Sequence, residues 1–217
     1  MSPTSSWSTN RSAIPRSTVW SARSPGVSPN RNRTGCGWRT GCSAIADTRS
    51  GSTSPSSTPS TRPAPYGHGA HPYLTLGRPI DECELLIPAG RYLEVDERAI
   101  PEPAERDVAG TAYDFREPRR VGATVIDNPF TGLRRDPAGL ARLRLSDGER
   151  SVALWADEAH PWLEVYTLDE VEEVRRTALG AEPMTCPPNA FVTGTDLLTL
   201  EPGETVTHTW GIQAVGG

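Results

Sequence analysis

Upstream of Pro63 the chain carries no sustained period of two or of 3.6, and apolar residues such as Ile14, Val19, Trp20 and Val27 stand alone. A stretch of that kind cannot bury enough apolar surface to offset its chain entropy, which predicts disorder. Downstream the texture changes. Residues 1–63 hold eight Arg and one acid, Asp47, for a net charge of +7, whereas residues 64–217 set 14 Arg against 26 acids, a net −12. Ser and Thr crowd the first part, and the second keeps only Ser146 and Ser151 among its serines. The sequence therefore divides into a low-complexity Ser/Thr/Arg/Pro-rich segment, 1–63, and a region expected to fold, 64–217.

Three readings of residues 1–63 compete. An Arg- and Ser-rich, acid-poor targeting peptide fits the composition but not the length or the Pro content. A Ser/Thr/Pro linker or stalk suits Ser54 to Ser60, yet the scattered Trp7, Trp20 and Trp38 do not belong in one. Out-of-frame translation of a GC-rich gene yields Arg, Ser, Pro, Gly, Thr and stray Trp without periodicity, and it is the reading favoured here. All 22 basic residues are Arg and none is Lys, which points the same way.

Composition also narrows the function classes. No apolar run approaches the roughly 20 residues that span a bilayer, so no membrane partner is expected. The N-terminus lacks the continuous apolar stretch of a secretory signal. Cys36, Cys42, Cys83 and Cys186 form no C-x-x-C pair and are read as free thiols, which places the protein in the cytoplasm. The acidic balance of the larger part argues against nucleic acid. Oligomeric state is left open by the sequence.

From about Pro65 the pattern is that of antiparallel strands. Ala141 to Leu145 alternates apolar or small residues with Arg, Ser146-Asp147-Gly148-Glu149 is a turn, and Ser151 to Trp155 returns, which together predict a hairpin. Trp162 to Thr167 alternates with Trp162, Glu164 and Tyr166 on one face and Leu163, Val165 and Thr167 on the other. Thr205 to Ile212 reads as a last strand. Only Asp169 to Thr177 has helical character, with a solvated face of acids opposite Arg175 and Arg176. About eight or nine strands with frequent Pro and Gly predict an all-β sandwich.

Three clusters could carry chemistry. Gly67-His68-Gly69-Ala70-His71-Pro72-Tyr73-Leu74 sets two His and an aromatic ring at a loop-to-strand transition; with no third ligand in reach by sequence, zinc is disfavoured and incidental His remain an alternative. Ala181-Glu182-Pro183-Met184-Thr185-Cys186-Pro187-Pro188-Asn189 sets a carboxylate before a Pro-stiffened loop, as a general base requires, although a turn-capping Glu would look the same. Ile126-Asp127-Asn128-Pro129 offers an acid in what also reads as a plain turn. Trp155, Trp162 and Trp210 could stack on a sugar, and core packing is the competing reading for at least two of them.

Taken in order, these clusters resemble the aldose 1-epimerase (galactose mutarotase) family. The carriers are His71-Pro72-Tyr73-Leu74 with Leu86-Ile87-Pro88-Ala89, Tyr113-Asp114-Phe115-Arg116, Ile126-Asp127 with Phe130-Thr131-Gly132-Leu133, and Glu182 through Phe191. Leu200-Glu201-Pro202-Gly203-Glu204 and Trp210-Gly211-Ile212 close the match, which covers nearly all of residues 65–214. The resemblance implies a β-supersandwich, here partial, and interconversion of the α and β anomers of an aldohexose without cofactor or metal. It implies Glu182 as general base, His71 as general acid and Asp127 as a group that binds sugar hydroxyls, with a small aldose sugar as the only partner. It also implies an N-terminal half, with an Asn-Arg motif and a further His before Gly, that residues 1–63 do not supply; Asn10-Arg11 has no strand pattern around it. A chain so built is expected to be a weak or inactive mutarotase, and a non-catalytic carbohydrate-binding module is the alternative.

Overall fold

In the computed structural model, residues 19–21, 49–57 and 61–216 are described. In chain order their strands are β1 (Val19–Ser21), β2 (Arg49–Ser57), β3 (Ala64–Tyr66), β4 (Tyr73–Thr75), β5 (Glu84–Leu86), β6 (Ala89–Val95), β7 (Pro101–Asp107) and β8 (Arg119–Arg120). There follow β9 (Asp127–Leu133), β10 (Ala141–Ser146), β11 (Arg150–Ala156), β12 (Trp162–Tyr166), β13 (Leu179–Met184), a single helical turn α1 (Ala190–Thr193), β14 (Leu198–Leu200) and β15 (Thr205–Gly216). Seven strands form one sheet in the order β1-β4-β13-β12-β9-β6-β7, six form a second in the order β2-β15-β11-β10-β5-β8, and β14 pairs with β3. Every pairing is antiparallel except that of β1 with β4.

Alternation explains why the two larger sheets face each other. On β10, Ala141, Leu143 and Leu145 are buried while Arg142, Arg144 and Ser146 are only partly covered, the period of two that one-sided burial demands. The hairpin predicted there forms in register, with Leu143 opposite Leu154 and Ser146 opposite Ser151. Leu143, Leu145, Val152, Leu154 and Ile212 from the six-stranded sheet meet Leu74, Phe130, Leu163, Val165, Leu179 and Ala181 from the seven-stranded one in a single core. At about 1.5–3 kcal/mol for each large apolar side chain removed from water, this interlayer packing dominates the stabilisation. The outer strand β7 repels further pairing by its composition, since Pro101 and Pro103 remove donors and Glu102, Glu105 and Asp107 add charge.

The fold departs from the sequence expectation in three places. Within the segment expected to be disordered, Arg49–Ser57 pairs along β15 from Gln213 to Thr205, and Val19–Ser21 pairs with Tyr73–Thr75. Pro55 is tolerated because β2 is an edge strand, where a missing N–H need not break a ladder. The rest of the expectation for residues 1–63, including Cys36 and Cys42, falls outside the described residues. The helix expected over residues 169–177 is reduced to the short 3-10 turn Glu172–Val174. Its Arg176 has a positive φ of 53° and bonds to Asp81, to Asp169 at 2.8 Å and to the carbonyls of Gly122 and Thr124 at 2.7 and 3.2 Å, so distant partners outweigh the local i,i+4 pairs. The strands after Ala64 also outnumber the expectation, because two- and three-residue strands such as β5 and β8 are too short to show a period.

Leu154 is fully buried on β11 against the opposite sheet. Leu154→Ala should cost about 2–5 kcal/mol of unfolding free energy in a denaturant titration; a loss under about 0.5 kcal/mol, as at an unremarkable surface site, would show that the two layers do not pack as described.

Candidate active site

Four neighbouring strands of the seven-stranded sheet, β4, β13, β12 and β9, turn their second face away from the core. Because side chains alternate, burial of Leu74, Leu179, Ala181, Leu163, Val165 and Phe130 in the core places Tyr73, Glu182, Glu164, Tyr166 and Asp127 together on the opposite face. Register sets two rows across that face. Glu182 lies opposite Glu164, and Tyr73, Gly180, Tyr166 and Asp127 are successive cross-strand neighbours.

His71 comes from the segment leading into β4, which is laced to β13. The Ala70 N–H donates to the Pro183 carbonyl at 3.2 Å and the Ala181 N–H to the Pro72 carbonyl at 3.1 Å. This brings His71 Nε2 to 2.9 Å from Glu182 Oε1. The imidazole side chain is 55% exposed and the carboxylate 12%, so the carboxylate lies deeper than the ring. Tyr73 supports the His71 ring at 4.9 Å between centroids. Gly180 leaves room for the carboxylate: a Cβ there would stand 3.1 Å from the Tyr166 Cβ and 3.3 Å from Glu182 Oε1.

The electrostatics are those of several carboxyl groups crowded on one sheet face beside an imidazole. Burial raises the Glu182 carboxyl above its ordinary 4.5, the His71 hydrogen bond and charge draw it back, and Asp127 adds to the rise. For His71, burial works against the charged form, but the hydrogen bond and charge of Glu182, with Asp127 adding, leave it above the ordinary 6.5. Glu164 is pushed well above 4.5, first by burial and then by Glu182 and Asp127, which favours the neutral acid. Burial, then Glu182, Tyr166 and Asp127, push the Tyr73 hydroxyl up to about 12.

His71, Glu182 and Asp127, all singled out in the sequence, thus come together on one side of the seven-stranded sheet. Glu164, Tyr73 and Tyr166 were not singled out. Their signal was the alternation of β12 and the aromatic residue two after His71, legible only once β12 is known to adjoin β13. His68 turns to a different neighbourhood and stacks on His208. Trp155 and Trp210 belong to the other sheet, and Trp162 is buried with its Nε1–H donating to Asp196 Oδ2 at 2.7 Å. Among the described residues no group of three His, Cys, Asp or Glu is placed to hold a metal ion, and no helix is long and apolar enough to cross a membrane.

This layered antiparallel sandwich has counterparts among known proteins. The sequence model of aldose 1-epimerase matches residues 50–213, and the chain belongs to that family. It is 37% identical over 144 residues to the uncharacterized protein YihR of Escherichia coli (strain K12), covering 65% of this chain and 44% of that protein. It is 32% identical over 112 residues to an aldose 1-epimerase of the same organism, covering 49% of this chain and 32% of that one. The fold is that of galactose 1-epimerase from Lactobacillus acidophilus NCFM, with a TM-score of 0.66 at 24% identity over 79% of this chain and 54% of the other. The chain therefore spans less than half the length of the curated relatives it matches.

If the His71–Glu182 contact is what holds the imidazolium, removing the carboxylate should shift the balance. An NMR titration of the His71 ring should give a value above 6.5 in the parent chain and a lower one in Glu182→Gln, where burial is opposed only by Asp127 and a backbone hydrogen bond. An unchanged His71 titration in the variant would refute the pairing.

Proposed function

We propose that this chain is a sugar isomerase that interconverts the α and β anomers of an aldohexose by general acid–base ring opening. The observation that carries the reading is the contact of 2.9 Å between His71 Nε2 and Glu182 Oε1, in a chain of the aldose 1-epimerase family.

The side chains suit the steps. Glu182, in its carboxylate form, accepts the proton of the anomeric hydroxyl. Protonated His71 donates to the ring oxygen as the C1–O5 bond breaks, leaving an open-chain aldehyde with no net change in protons. Rotation about C1–C2 presents the other carbonyl face, the O5 hydroxyl returns its proton to His71 as it attacks C1, and Glu182 gives its proton back to O1. Asp127 accepts hydrogen bonds from the sugar hydroxyls, which fixes the ring between acid and base. Protein groups supply every proton transferred.

We also propose that turnover is slow, because more than half of the His71 side-chain surface is open to solvent. A sugar held from one side is poorly oriented, and orientation supplies a large part of such a rate.

Exchange between glucose anomers, followed by polarimetry or NMR, should be accelerated by the protein and should fall by about 10²–10⁴-fold in Glu182→Gln, the usual worth of a positioned general base. Retained sugar affinity with no acceleration in either protein would favour a carbohydrate-binding module. The rate should fall as acid protonates Glu182, whose carboxyl sits above 4.5, and fall again as alkali deprotonates His71, whose ring sits above 6.5. A profile flat across both limbs would contradict the assigned roles.

A further inference from the structure

A second histidine cluster lies outside the acid–base pair. The rings of His68, His160 and His208 meet where the segment before β4, the loop after β11 and strand β15 converge, so the cluster joins the two main sheets. Ring centroids are 5.1 Å apart for His68 and His208, 5.5 Å for His68 and His160, and 5.7 Å for His160 and His208. Tyr66 also stacks on His208 at 5.6 Å. His208 is 2% exposed, and neither of its ring nitrogens has a hydrogen-bond partner.

Its neighbours are held firmly. Asp157 Oδ1 is 2.8 Å from His160 Nδ1, and Asp157 Oδ2 accepts the Thr209 N–H at 2.8 Å. With its proton on Nδ1, His160 presents the lone pair of Nε2 to His68 Nδ1, 3.4 Å away. Arg135 locks the same loop by donating to the carbonyls of Gly139, Ala156, Asp157 and His160 at 2.8–3.3 Å. Near-parallel planes, 18° apart for His68 and His208, show faces to each other and do not aim two lone pairs at one point. The cluster is a packed group of rings, His68 stacked on His208 and His160 edge-on to both.

Its position matters because the same segment carries the acid–base pair. The His68 N–H donates to Thr185 Oγ1 at 2.8 Å, and the Thr185 N–H returns to the His68 carbonyl at 2.9 Å. His68 is three residues from His71, and Thr185 is three from Glu182. Moving His68 therefore moves the strap that sets the acid against the base.

We propose that the packed rings of His68, His160 and His208, with His68 stacked on His208 and His160 edge-on to both, form an acid-sensitive latch, which ties β15 to the strap carrying His71 and holds only while the three rings are uncharged. Each ring resists protonation. Burial first, then the neighbouring His160 and His208, lowers His68 to about 4, while Asp157 opposes. Burial also lowers His160 against the pull of Asp157, with His208 and Arg135 adding to the drop, and burial lowers His208. The other charged groups around the stack are Glu158 and Asp196, which line with His208 a cavity of about 570 Å³. Cys186 lines the same strap with a thiol pushed up by burial, so it adds no charge. The sign follows: the unfolded chain takes up protons at ordinary histidine pH and the folded chain does not, so stability is full above about 6.5 and falls as pH drops toward about 4.

The link to turnover rests on the function proposed above, but the latch is read without turnover. An NMR titration of the histidine rings in the full chain should show His71 protonating above 6.5, while the other three stay neutral until the folded spectrum itself collapses in acid. Any of the three titrating near 6.5 with the folded spectrum intact would overturn the latch. His208→Phe keeps a stacked ring without a proton site, so its denaturation midpoint should fall less than the parent's between pH 7 and pH 5. Identical pH dependence in the two proteins would also overturn it. Should that variant not fold, the titration of the parent chain decides alone. Loss of sugar turnover with the latch titration as stated would count against the isomerase reading only.

Discussion

One contact organises the candidate site: the hydrogen bond between His71 Nε2 and Glu182 Oε1. A carboxylate 12% exposed on a sheet face that also carries Glu164 and Asp127 is electrostatically costly, and His71 answers it with a contact of 2.9 Å. The consequences spread in both directions. His71 draws the Glu182 carboxyl back toward its ordinary range, whereas burial, Glu182 and Asp127 push Glu164 well above it and favour its neutral form. The imidazole is in turn raised above its ordinary value, against its own burial, by Glu182 and Asp127.

The fold exists to keep that contact in register. Alternation on β4, β13, β12 and β9 buries one set of side chains between the sheets and leaves the opposite set in two cross-strand rows, so a slip of one residue would send Glu182 into the core and Ala181 to the opposite face. Two devices prevent the slip. Backbone bonds from residues 68–72 to residues 181–185 lace the His71 segment to β13, and the ring stack at His68 braces the same lace against the other sheet. Arg176 performs a similar task beneath Asp127 by binding the carbonyls of Gly122 and Thr124, just upstream of β9.

Much of this was legible in the sequence because it depends on local pattern. The period of two marked Ala141–Leu145 as one arm of a hairpin and sorted Trp162–Thr167 into two faces, and the motifs around His71, Asp127 and Glu182 marked residues that the fold brings to one side of the seven-stranded sheet. What escaped depends on distant partners. Asp169 to Thr177 has helical charges, yet Arg176 is claimed by Asp81, Asp169 and two carbonyls far along the chain. Arg49–Ser57 has too few apolar residues to announce a strand, and its pairing is supplied by β15. His160 and His208 are isolated in sequence, 92 and 140 residues from His68, and become a cluster only when the sheets stack.

The central claim is that one sugar ring sits between the two members of the acid–base pair. A crystal structure of the chain soaked with an aldohexose tests this most directly. The account requires the anomeric oxygen within hydrogen-bond distance of the Glu182 carboxylate, the ring oxygen within the same distance of His71 Nε2, and a hydroxyl on Asp127. A sugar seated elsewhere on the sheet, with the His71–Glu182 contact undisturbed and no sugar oxygen near it, would contradict it.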